Sequence, residues 1–112
     1  MDSETFYSYV KHLRESKGLP LRKVAARLDI DPSTLSKIER GERGANLELV
    51  NLFSEIFGVS EKDLKKMFLS DKIVEQLWNE NNSDEILEAA KEKIKYLKSI
   101  RVQQGQIGFA NA

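Results

Sequence analysis

"LRKVAARLDIDPSTLSKIERGER" occupies residues 21–43, and the spacing within it decides the fold. Leu21, Val24, Ala25 and Leu28 recur three and four residues apart after Pro20, a residue favoured in a first helical turn. Asp31 then stands where a helix N-cap belongs, with Pro32 at the first helical position and Gly41 past the end. Leu35 and Ile38 mark the inward face of this second helix. Only Asp29-Ile30-Asp31 separates the pair. Helices this short are marginal in isolation, so packing must hold them. A connection of three residues makes them cross steeply. The outer face of the second helix is then Ser33, Ser36 and Lys37, small donors and acceptors with one long cation.

The flanks are helical as well. Phe6, Tyr9, Val10 and Leu13 share one face, and Gly18 stops that helix after Lys17. Val50, Phe53, Ile56 and Phe57 line a helix from about 47 to 57, closed by Gly58. Ser60 with Asp63 has the form of a capping box and opens a helix through Leu64, Met67 and Phe68. Ser70-Asp71 reads as a new start signal, beginning a helix that bears Ile73, Val74, Leu77 and Trp78. After the loop "NENNS" at 79–83, Asn82 and Glu85 can cap a last helix carrying Ile86, Leu87, Ala90, Ile94, Leu97 and Ile100. No stretch alternates as a strand does. The expected class is all-α: a five-helix domain over 1–69, a helical extension over 70–100 and a flexible tail over 101–112.

Composition narrows the function. The formal net charge is zero, but it is unevenly placed. From Lys11 to Arg43 there are nine basic against five acidic residues; from Ala45 onward, nine against eleven. Without cysteine there is no disulfide, thiolate catalysis or Cys-based zinc site, which suits a cytoplasmic protein. The start, MDSETF, lacks the form of a signal peptide, and no apolar run approaches the roughly 20 residues of a membrane span. His12 is the single histidine and has no visible ligand partners, so neither metal nor cofactor is expected. Ser8 and Lys11 fit S-x-x-K, and Ser33 with Lys37 could imitate a serine–lysine dyad. Neither pair comes with further catalytic motifs, an oxyanion-hole loop or enough chain to enclose a substrate, so an enzyme is not expected.

Two short helices crossing at a tight turn form a helix-turn-helix, and the Ser33, Ser36 and Lys37 face suits the DNA major groove. The stretch "LRESKGLPLRKVAARLDIDPSTLSKIERGER" (13–43) resembles the helix-turn-helix domain of the phage-repressor, or XRE, family of transcriptional regulators. The likeness covers residues 5 to 68. It rests on glycine after the first helix, V-A-x-x-L in the second, the S-K-I-E-R-G run and two further helices at the expected spacing. "GLPLRKVAA" and "SKIERGER" also resemble small regulators found beside DNA methyltransferases in restriction-modification systems.

The resemblance implies roles. Arg14 and Glu39 match a partly buried ion pair joining two helices. Ser33 and Lys37 match base-contacting positions, with Ser36 nearby, and Thr34 matches a phosphate contact. The second helix would point free amides at the DNA backbone, helped by Arg22 or Lys23, and Arg43 would grip phosphates from its loop. Two departures stand out. Asp29 replaces the glycine common at the turn, and Leu21 and Pro32 replace polar residues at the two helix starts. Fewer base readers imply some reliance on DNA shape.

The extension has two readings: a helix folded back on its own domain, or a dimer interface built from Ile73, Leu77, Trp78, Leu87, Ala90, Ile94 and Leu97. Dimerisation is favoured, because one such module buries too little DNA surface for tight specificity. The expected function is a sequence-specific regulator, a repressor or autoregulator that binds a two-fold-related operator on double-stranded DNA as a homodimer. A restriction-modification or methyltransferase operon would be its setting. The competing class is an antitoxin-like module whose extension binds a protein partner.

Overall fold

The computed structural model describes residues 4–104. Six helices follow in order: α1 (Phe6–Ser16), α2 (Leu21–Leu28), α3 (Pro32–Glu39), α4 (Leu47–Phe57), α5 (Glu61–Leu77) and α6 (Ser83–Gln104). No strand occurs among the described residues. The chain divides into two compact units, Met1–Glu75 and Gln76–Ala112.

Local chemistry sets the bounds of the first unit's helices. Thr5 accepts the Ser8 amide at 3.1 Å to start α1, and Asn46 accepts the Leu49 amide at 2.8 Å to start α4. Ser60 Oγ accepts the Asp63 amide at 3.2 Å to start α5. Gly58 ends α4 in the left-handed region, φ 65°, where glycine alone has no Cβ penalty.

The apolar faces of these helices converge on one core. Phe6 and Val10 of α1 meet Val24, Ala25 and Leu28 of α2, Leu35 of α3, Val50, Phe53 and Phe57 of α4, and Leu64 and Phe68 of α5. Phe6 lies edge-on to Phe53 and Phe68, with centroids 5.8 and 5.2 Å away. Each such side chain contributes about 1.5–3 kcal/mol by leaving water. Within this unit α3 packs on α1 and α2, and α2 on α4, so the core presses the two short helices together from behind.

The helix expected to start at Ser70-Asp71 is not separate. α5 runs unbroken through both residues, giving six helices rather than seven. Ser70 Oγ donates to the Met67 carbonyl at 2.9 Å inside the helix. The Asp71 carboxylate accepts the Phe6 amide at 2.7 Å. Asp71 therefore caps a helix, but that helix is α1.

In the second unit none of the described α6 side chains is buried. Ile86, Leu97 and Ile100 are half-buried, while Leu87, Ile94 and Tyr96 are exposed. Glu88–Lys91 (3.6 Å) and Glu92–Lys95 (3.9 Å) pair along the surface in the acid-first order that helices favour. α6 continues to Gln104, four residues into the stretch expected as a tail, and the remainder of that tail lies outside the described residues.

Candidate nucleic-acid interface

The turn between α2 and α3 is set by one backbone conformation. Asp29 sits in the left-handed region at φ 58°, ψ 44°, alone among the described non-glycine residues in having positive φ. Its amide and that of Ile30 return to the Ala26 and Ala25 carbonyls at 3.1 and 3.0 Å, closing α2. Aspartate tolerates this region better than most residues, so the missing glycine costs little. Asp31 then precedes Pro32 at the start of α3.

Arg14 fixes the far end of α3. Its Nε and Nη2 donate to the two Glu39 carboxylate oxygens at 2.7 and 3.0 Å, and Nη1 donates to the Leu19 carbonyl at 3.0 Å. The two side chains are 13% and 5% exposed. The hydrogen bond to Glu39 pushes the Arg14 pKa up, against the opposing effect of burial, with attraction to Glu39 and Glu15 adding. One guanidinium thus joins α1, the loop after it and α3. The acid is used up internally.

With Leu35 and Ile38 buried and Glu39 taken by Arg14, α3 turns its other side outward. Ser33 and Lys37 are exposed; Thr34 and Ser36 are half-buried. Neither Ser33 nor Lys37 has a side-chain hydrogen bond or ion pair to another described residue. Ser36 does: its hydroxyl accepts from Arg40 Nη1 one turn on, and Arg40 Nε in turn meets Glu42 at 2.6 Å. By residue type alone, Arg40 and Glu42 register only as charges. The signal for them was the four-residue Ser36–Arg40 spacing with an acid two residues later.

Arg22, Lys23 and Arg27 are exposed on α2, and Arg43 is exposed in the loop after α3. The α2 and α3 N-termini differ from those of α1 and α4, because neither Pro20 nor Asp31 makes a side-chain cap hydrogen bond. The Leu21 and Arg22 amides of α2, and the Ser33 and Thr34 amides that follow Pro32 in α3, are open to an acceptor from outside. Thr34 and Arg43 line one shallow depression of about 510 Å³ together with Ala26, Asp29, Ile30 and Asp31. The two carboxylates make that depression a poor anion cradle.

Residues 10–64 match the family model described as helix-turn-helix. The match falls within residues 5 to 68, over which the XRE-type resemblance is expected. A crystal structure of the clp gene regulator ClgR from Corynebacterium glutamicum has a similar fold, with a TM-score of 0.51. The two share 22% identity over 90% of this chain and 92% of that one. No curated protein matches the chain.

Outside the helix-turn-helix, the seven residues expected at a dimer contact are placed as follows. Ile73, Trp78, Leu87, Ala90 and Ile94 are exposed, and Leu77 and Leu97 are half-buried. Trp78 is 75% exposed and Ile94 50%, unusual for side chains of their size. Among the described residues no helix is long and apolar enough to cross a membrane, and no His, Cys, Asp and Glu cluster could hold a metal ion.

Proposed function

We propose that this chain is a transcriptional regulator that binds duplex DNA sequence-specifically as a homodimer, with α3 in the major groove. The observation that carries this reading is the outer face of α3. Ser33 and Lys37 project with no side-chain hydrogen bond or ion pair among the described residues, beside two helix N-termini that lack side-chain caps. Lysine can donate to guanine O6 and N7, and small hydroxyls let the backbone approach the base edges. Thr34, Arg22, Lys23 and Arg43 contact phosphates and set the register, helped by the α2 amides. Arg14 and Glu39 serve the fold, and catalysis has no part in it.

The division of labour is a DNA-binding domain over 1–69 and a dimerising extension over 70–100. Exposed Ile73, Trp78, Leu87 and Ile94 support a contact with a second copy. Repression of its own operon, of the restriction-modification or methyltransferase kind, is the proposed setting, on the strength of the "SKIERGER" wording. Footprinting upstream of its own gene, with sedimentation in parallel, tests the proposal. Two protected half-sites about 34 Å apart, or a multiple of it, under a dimer are expected. A monomer protecting one half-site sinks the dimer. A species that ignores DNA but copurifies with another protein favours the antitoxin-like alternative.

A further inference from the structure

Arg40 follows the last residue of α3 and does not extend freely into solvent. Its Nη1 donates to Ser36 Oγ, its Nε donates to Glu42 at 2.6 Å, and its Nη2 leans on the other Glu42 oxygen at 3.4 Å. A guanidinium has five N–H donors in a fixed plane. Three are used in this way, leaving one on each terminal nitrogen. Arg40 and Glu42 side chains are 49% and 56% exposed, so the remaining donors are open to solvent, and the contact with Ser36 ties the guanidinium to the last turn of α3, where Lys37 also stands exposed. The hydrogen bond from Arg40 holds the Glu42 carboxyl below its usual range, with attraction to Arg40 and then to Lys37 adding. Glu42 is therefore a charged neighbour to both cations of this face.

Resting on the DNA-binding reading above, we propose that Arg40 is a further base reader of α3 and that Glu42 is its positioning residue. A carboxylate beside a guanidinium cancels its charge toward a phosphate but leaves its outward donors intact. Such a unit gains little from the uniform field of the DNA backbone and keeps the hydrogen bonds that distinguish bases. It also supplies the reading capacity that Pro32, which has no polar side chain, does not. Ser36 then acts through Arg40, holding the guanidinium plane against the helix.

The test compares wild type, Arg40→Ala, Glu42→Gln and Ser36→Ala on the duplex that wild type selects from a random library and on a scrambled duplex. Affinity is titrated across a salt series, and folding is checked by thermal unfolding. Arg40→Ala is expected to lose about tenfold or more on the selected duplex and little on the scrambled one. Because Arg40→Ala also uncovers the Glu42 carboxylate, the slope of log affinity against log salt is read in Arg40→Ala combined with Glu42→Gln, where it should match wild type. Glu42→Gln releases a full cation, so scrambled-duplex affinity should rise and the slope steepen by about 0.9. Ser36→Ala should lose selectivity in the direction of Arg40→Ala. A slope that falls by about 0.9 in the Arg40→Ala, Glu42→Gln double variant makes Arg40 a phosphate contact and overturns the inference. Unaltered selectivity in Arg40→Ala and Glu42→Gln overturns it as well. If wild type selects no duplex at all, the DNA-binding reading itself has failed, and the inference goes with it.

Discussion

Arg14 on α1 and Glu39 on α3 meet by two hydrogen bonds, 2.7 and 3.0 Å long, with both side chains largely out of water. The pair joins α1 to α3, two helices that also share the core through Phe6, Val10 and Leu35. Removing one partner leaves the other charge without compensation. Arg14→Ala should lower stability by about 3 kcal/mol. Thermal unfolding measures this directly, and an unchanged transition accompanied by lost DNA binding would reassign Arg14 to the interface.

Lys37 and Arg43 should separate cleanly in binding titrations. Lys37→Ala is expected to forfeit about 1–3 kcal/mol of discrimination, weakening the selected duplex more than a scrambled one. Arg43→Ala should weaken both alike and flatten the salt slope by about 0.9. Equal losses on both duplexes in Lys37→Ala would make Lys37 a phosphate contact, and specificity would then fall to Ser33 and its neighbours.

Ile94 is half exposed and Leu97 lies on the same stripe of α6. Introducing glutamate at both positions puts unpaired carboxylates where a partner's apolar surface would sit, which is costly. Ile94→Glu with Leu97→Glu should yield a folded monomer with weak affinity for its operator. Sedimentation that still reports a dimer places the contact elsewhere.

Asp29 invites a backbone test. Its left-handed conformation suits glycine best and β-branched residues least. Asp29→Gly should be neutral or slightly stabilising, whereas Asp29→Val should cost about 1–2 kcal/mol. Equal melting temperatures for the two variants would show that the turn relaxes to another conformation.

Much of this was legible beforehand, for identifiable reasons. The α2–α3 turn has strong local determinants: apolar spacing, proline at a first helical position, and an aspartate able to take positive φ. Ser60 could be read as a cap because its partner, Asp63, lies three residues away. Asp71 misled because capping is a chemical capacity without a direction. Its partner Phe6 is 65 residues distant, and nothing local signals that. Arg40 escaped notice for a related reason. Its importance lies in which of its donors are occupied, and residue type alone does not record that.

The Asp71–Phe6 hydrogen bond also bears on where the chain can be cut. A fragment ending at residue 69 would keep Leu64 and Phe68 in the core, yet it would strip the first amide of α1 of its acceptor. A fragment carried through Glu75 keeps that acceptor and ends where the first compact unit ends. Asp71 is thus a carboxylate placed by sequence in the expected extension and by contact at the first residue of α1.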